Sequence, residues 1–109
     1  MAADLLVGLW HIVHWLEIYE DGRIIAPFGT ALRGFLRYTP DGHMMCVISK
    51  PARARFASDQ QYAATAQEKA QAYDDFFVYA GHYERADNFV VHHVDYALFP
   101  NVRRQNIWH

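Results

Sequence analysis

Closely spaced turn signals cut this chain into short runs of β-branched and aromatic residues, and that spacing leaves few architectures open. "EDGR" at 20–23 and "TPDG" at 39–42 are the sharpest of them. An Asp-Gly step takes the positive φ angles of a type I′ hairpin turn, and Pro40 with Gly42 behind it closes a tight reverse turn. Asp87-Asn88 predicts a third turn, and Pro100 ends the run that follows it. Strands joined this tightly pair antiparallel, because a parallel crossover needs a dozen residues or more.

Between these marks the strands are predicted at 9–19, 23–26, 33–39, 43–50 and 89–99, with the tail "NVRRQNIWH" supplying one more. Trp, Ile, Val, Leu and Tyr dominate the first of them, as suits a pleated surface. The middle of the chain differs. After the loop "ARARFASDQQYAAT", a segment rich in Ala, Gln and Glu predicts a helix over 66–80. Thr65 and Glu68 have the spacing of a capping box, and Ala66, Ala70, Tyr73, Phe77 and Ala80 recur at helical steps. Gly81 then stands where a left-handed C-terminal cap belongs. About six or seven antiparallel strands with one inserted helix result, and closure into a barrel removes the exposed edges such a sheet would otherwise carry.

One domain fits 109 residues. A hydrophobic content of 52%, with 16% aromatic residues, exceeds what a thin core uses and predicts an aromatic-lined cavity or an apolar subunit interface. The net charge of -2 gives no footprint for nucleic acid, and Lys50, Arg53 and Arg55 read as a solvated loop. Cys46 is the only cysteine, so no intrachain disulfide forms and a cytoplasmic setting is expected. No signal peptide or membrane span is read from the sequence. Nor is a G-x-G-x-x-G or P-loop, so no nucleotide cofactor is expected.

The chain also resembles the bacterial and fungal lipocalin-like domain proteins, small calycin-type barrels. Gly8-Leu9-Trp10 matches the lipocalin G-x-W, and "PFG" at 27–29, "GFLRYTPDGHM" at 34–44, "RFAS" at 55–58, "YAGHYE" at 79–84 and "HHVDYALFPN" at 92–101 follow in the family's order. The resemblance implies a cavity for a small hydrophobic or amphipathic molecule, with Trp10 plugging the barrel floor. Family members continue with an aromatic after "PN" and a further pair of strands, whereas here Val102 follows. By that comparison the barrel lacks its last strands, and association through the open edge, as a homodimer, is expected.

Alternation along a strand sends His11 and His14 to opposite faces and does the same to His92 and His93, so neither pair chelates one metal. Without a second Cys or an HExxH run, no metal site is expected. With Trp10 in the lumen, His14 faces it too. Phe35, Tyr73, Phe77 and Tyr83 are the other expected ligand contacts. His93 and Asp95 share a face two residues apart, an arrangement that orients an imidazole as a general base, and Arg37 offers a guanidinium fork for an enolate or carboxylate. The expected function is therefore binding of a small hydrophobic molecule. Its rivals are a cofactor-independent cyclase or isomerase using His93, Asp95 and Arg37, and an interaction module that recruits a partner by strand addition.

Overall fold

The computed structural model describes residues 5–108. In chain order the elements are β1 (Gly8–His11), β2 (Glu17–Ile18), β3 (Ile24–Ile25), β4 (Arg33–Tyr38), β5 (His43–Ser49), α1 (Ala66–Asp74), β6 (Phe76–Arg85), β7 (Phe89–Ala97) and β8 (Arg104–Trp108). Six strands form one antiparallel sheet in the order β1-β4-β5-β6-β7-β8, and β2 and β3 make a separate hairpin. This is the mainly antiparallel β architecture with one helix that the turn spacing predicts. No ladder joins β1 to β8 among the described residues, and a radius of gyration of 15.9 Å exceeds the roughly 13 Å of a compact chain this size. The sheet is curled, and among the described residues its edge strands β1 and β8 are not paired with each other.

Both predicted hairpin turns form, with a different backbone from the type I′ expected for "EDGR". Gly22 N–H donates to the Tyr19 carbonyl at 3.0 Å and Tyr19 N–H to the Arg23 carbonyl at 2.9 Å. At the second turn, Gly42 and Thr39 repeat the pattern with Thr39 and His43. Within these two turns positive φ falls on Gly22 and Gly42 alone, at 89° and 88°, and among the described residues no non-glycine adopts it. A three-residue loop with one left-handed glycine spares Asp21 and Asp41 the positive φ that type I′ demands.

The helix begins where the capping box places it. Thr65 Oγ1 accepts from Glu68 N–H at 3.1 Å, and Glu68 Oε1 accepts from Thr65 N–H at 3.0 Å. It ends at Asp74 and not at Ala80. Asp75 is buried, accepts from Gln71 Nε2 at 2.8 Å and lies 3.4 Å from Lys50 Nζ, while its carbonyl accepts from Lys50 N–H. That clamp to the end of β5 starts the Ser49–Phe76 pairing, so Phe77, Ala80 and Gly81 are strand residues. Arg53, from the basic loop, donates to the Ala72 carbonyl of the last helical turn and lies over the Phe76 ring.

The long first strand is also shorter than predicted. Pairing with β4 stops at His11, and residues 12–16 lie outside any strand. There Trp15 stacks on Phe77 at 4.8 Å and meets Phe28 edge-on at 5.0 Å, so it covers one end of the sheet's inner face. The register aligns Trp10, Leu36, Cys46 and Tyr79 across β1, β4, β5 and β6, and aligns Tyr38, Met44, Gly81 and Val94 one row further. These rows carry the core, a cluster of Leu6, Tyr38, Met44, Cys46, Ile48, Tyr79, Val90 and Val102.

Gly81 is the tightest point in that sheet. The β6–β7 register shifts between Ala80 and Gly81, leaving Asp95 as an extra residue between Val94 and Tyr96. A Cβ on Gly81 would lie 1.9 Å from the His93 carbonyl oxygen and 2.9 Å from Asp95 N. Both are backbone atoms, and His93 is held in the ladder by its pairing with His82, so they cannot yield cheaply. Gly81→Ala is expected to lower unfolding stability by about 3 kcal/mol, read as a fall in the urea midpoint at unchanged m; an unaltered midpoint would contradict the close approach.

Candidate functional site

At the centre of the inner face lies a residue that strand alternation did not single out. His92 on β7 is 0% exposed, and its two ring nitrogens meet hydroxyls from two other strands. Tyr38 Oη on β4 lies 2.5 Å from Nε2, and Tyr79 Oη on β6 lies 2.6 Å from Nδ1. One ring nitrogen donates and the other accepts, so the two hydroxyls between them satisfy both positions of the imidazole.

Burial sets the acidity of these groups. It holds His92 down to about 4, with the charge of neighbouring His93 acting in the same direction. It pushes Cys46 up to about 12, with the neighbouring Tyr79 hydroxyl acting the other way. Both tyrosines rise above the usual phenol range, first by desolvation and then through Cys46. The network is neutral at physiological pH, a fixed polar strut and not a poised proton donor.

Two cavities flank this sheet. On the inner side, a pocket of about 330 Å³ is lined by Leu5, Leu6, Trp10, Leu36, Tyr38, Arg85 and Ile107. Trp10 belongs to edge strand β1 and Ile107 to edge strand β8, so the pocket spans the gap the open sheet leaves. Trp10 Nε1 donates to the Leu6 carbonyl at 2.8 Å, which fixes the indole as a wall. It is 49% exposed; the ring that plugs the sheet is Trp15. On the outer side, an open groove of about 440 Å³ is lined by Arg37, Thr39, His43, Met45, His82, Asp95 and Tyr96, among others.

The expected site residues divide between these faces. Trp10 and Tyr83 lie on the inner face, where Tyr83 packs on Tyr38 at 4.7 Å and donates to the Thr39 carbonyl. Phe77 is inner too, under Trp15. Phe35 pairs with Val47 and His11 on the opposite face from Trp10 and Leu36. Tyr73 is an exposed residue of α1, and His14 is exposed in the segment between β1 and β2. Arg37 and Asp95 come together in the outer groove, but His93 does not join them. Asp95 Oδ2 lies 2.8 Å from His82 Nδ1, while His93 Nε2 lies 3.7 Å from Glu84 Oε1. The predicted His93–Asp95 dyad is therefore replaced by His82–Asp95. Beside it, His43 Nδ1 lies 3.1 Å from Asp41 Oδ1, and hydrogen bonds from Thr39 and His43 hold the Asp41 carboxyl below the usual carboxylate range.

His92 carries a legible signal in hindsight. It alternates with Val90 and Val94, both apolar, whereas His93 alternates with the carboxylate of Asp95. The apolar partners mark the buried face.

The fold, the inner pocket and the G-x-W indole on its wall agree with one family, and the family model for the lipocalin-like domain matches residues 7–107. The chain belongs to the lipocalin-like domain family. Comparison with curated proteins and with solved structures returned no match. Among its described residues, this lipocalin-like domain has no helix long and apolar enough to cross a membrane.

The neutral imidazole makes the domain's stability depend on pH. Unfolded, His92 takes a proton near pH 6.5; folded, it resists until about pH 4. Between these values the unfolded state binds more protons, so stability falls as pH falls, by up to about 3 kcal/mol, and this contribution is flat above pH 6.5. Urea midpoints from pH 7 to 4 are expected to show that decline and to lose most of it in His92→Gln. Cys46, 4% exposed with a raised pKa, is expected to resist a thiol-specific disulfide reagent at pH 8 until urea unfolds the chain; rapid labelling of the native protein would contradict the burial.

Proposed function

We propose that the domain binds a small hydrophobic or amphipathic molecule in the inner pocket between β1 and β8. One observation carries this reading: a cavity of about 330 Å³ whose wall is mostly Leu5, Leu6, Trp10, Leu36 and Ile107, contributed from both open edges of one sheet. Its size is at the low end of small-molecule pockets. An apolar ligand there would bridge the two edges that no ladder joins and would cover the half-exposed indole of Trp10. Membership of the lipocalin-like family supports the same reading, since barrels of this type commonly hold small hydrophobic ligands.

The cyclase or isomerase reading has weaker support. Tyr38 has the right position, with its ring on the pocket wall and its hydroxyl on His92. The acidities run the wrong way, because burial makes Tyr38 a weaker acid and His92 a weaker base than usual, whereas general catalysis favours values near the working pH. Arg37 and Asp95 lie on the other face, in an open groove.

Native mass spectrometry of the purified protein, with titration of a fluorescent long-chain fatty acid, tests the binding reading. A retained or titrated ligand is expected, and Trp10→Ala should weaken it about tenfold or more, equivalent to about 1.4 kcal/mol. Absence of any retained molecule, together with fatty acid binding indifferent to Trp10, would overturn it.

Self-association is proposed as well. Val13, Leu16, Ile18 and Ile24 are 56–70% exposed around the β2–β3 hairpin, and both β1 and β8 are sheet edges, which supports a two-fold dimer built on this margin. Sedimentation equilibrium should show a dimer at micromolar concentration that Ile18→Lys with Ile24→Lys dissociates; a monomer at millimolar concentration would end this proposal. The single cysteine, buried and unpaired by disulfide, supports the cytoplasmic setting expected from the sequence.

A further inference from the structure

On the outer face, the register brings together two histidines that lie 39 positions apart in the chain. His43 on β5 is the direct cross-strand partner of His82 on β6, and their rings stand 4.6 Å apart between centroids. Each ring has its Nδ1 on its own carboxylate: His43 on Asp41 at 3.1 Å and His82 on Asp95 at 2.8 Å. Both side chains are 55% exposed, and both line the same groove.

We infer that His43 and His82 form a two-histidine chelating site for a divalent transition metal, with Asp41 and Asp95 as its positioning carboxylates. In a neutral imidazole whose Nδ1–H donates to a carboxylate, the lone pair is left on Nε2, and this carboxylate–histidine pairing is the one that metal-binding histidines use. Here a carboxylate oxygen stands within reach of Nδ1 twice, at 3.1 Å and 2.8 Å, on two histidines that pair directly across facing strands. With metal–nitrogen bonds of about 2 Å, two imidazoles on one ion keep their centroids about 5 Å apart, near the separation already present. No three His, Cys, Asp or Glu residues converge on a metal position among the described residues, so the protein supplies two ligands and leaves the other positions to water or to an oxygen ligand in the groove. Imidazole donors select ions of the zinc and copper type over magnesium or calcium.

Two irregularities of the backbone aim the carboxylates. The three-residue loop with Gly42 folds Asp41 back beside His43. The bulge opposite Ala80 and Gly81 inserts Asp95 as an unpaired residue beside His82, which is a recognised use of a bulge: to re-aim one side chain.

The test titrates the full chain with zinc and, separately, with copper(II) by calorimetry, with magnesium as the hard-cation control. One zinc or copper ion per chain is expected, and no measurable magnesium. His43→Gln and His82→Gln should each weaken binding tenfold or more, and Asp95→Asn, which leaves both ligands in place, by about 10–100-fold. His14→Ala, an exposed histidine elsewhere, should change nothing. These positions are on the surface, and unaltered circular dichroism of each variant will show that it folds. In the wild type, nitrogen NMR should place the zinc-induced shift on the Nε2 atoms of His43 and His82. Equal losses in His14→Ala and His82→Gln would mean adventitious surface binding, and magnesium binding as tight as zinc would mean a carboxylate site; either overturns the inference.

Discussion

A buried imidazole with both nitrogens satisfied is the constraint on which this domain's core depends. The core is thin, and a polar ring with no exposure costs a few kcal/mol unless each nitrogen has a partner. Those partners come from β4 and β6, while the ring comes from β7. The network therefore exists only when three strands are in register and the sheet is curled enough for Tyr38 to reach across β5 and β6. A one-residue slip of β7 that brought Val91 to that position would strand two phenols. The hydrophobic residues drive collapse, and the network selects the collapsed arrangement that is native.

The sheet's two faces then have different chemistry for one reason. Tyr38, Tyr79 and Cys46 are kept neutral by burial, and the inner face is accordingly apolar in character even where it carries heteroatoms. The outer face keeps carboxylates and imidazoles beside water: Asp41, His43, His82, Asp95 and Glu84. The inner face suits a molecule that avoids water. The outer groove suits one that carries charge.

What the chain disclosed before folding follows how local each determinant is. The turns at 20–23 and 39–42 and the Thr65–Glu68 box depend on four or five adjacent residues, and all form where the sequence puts them. The helix end was harder. Tyr73, Phe77 and Ala80 fit a helical period, but Phe77, Tyr79, Gly81 and Tyr83 equally fit alternation, and the Asp75 clamp to Lys50 decides between the two. Trp10 was legible as a family mark and as a pocket wall, whereas Trp15 could be known as the covering ring only once Phe28 and Phe77 were brought to it. The outer histidine pair was beyond reach for the same reason. Parity rules compare neighbours in one strand, and His43 and His82 become neighbours only through the β5–β6 register.

The bulge in β7 has a consequence for how this strand can vary. Inner positions run Val90, His92, Val94 and then Ala97, with Asp95 and Tyr96 both outside. Counted from the core, Asp95 is supernumerary: without it, Val94, Tyr96 and Ala97 would alternate in, out and in as an unbroken strand does. The interior has no use for this residue, and the sheet bends around Gly81 to keep it. The geometric cost is met on the inside of the fold, and the one side chain gained stands on the outside, against His82.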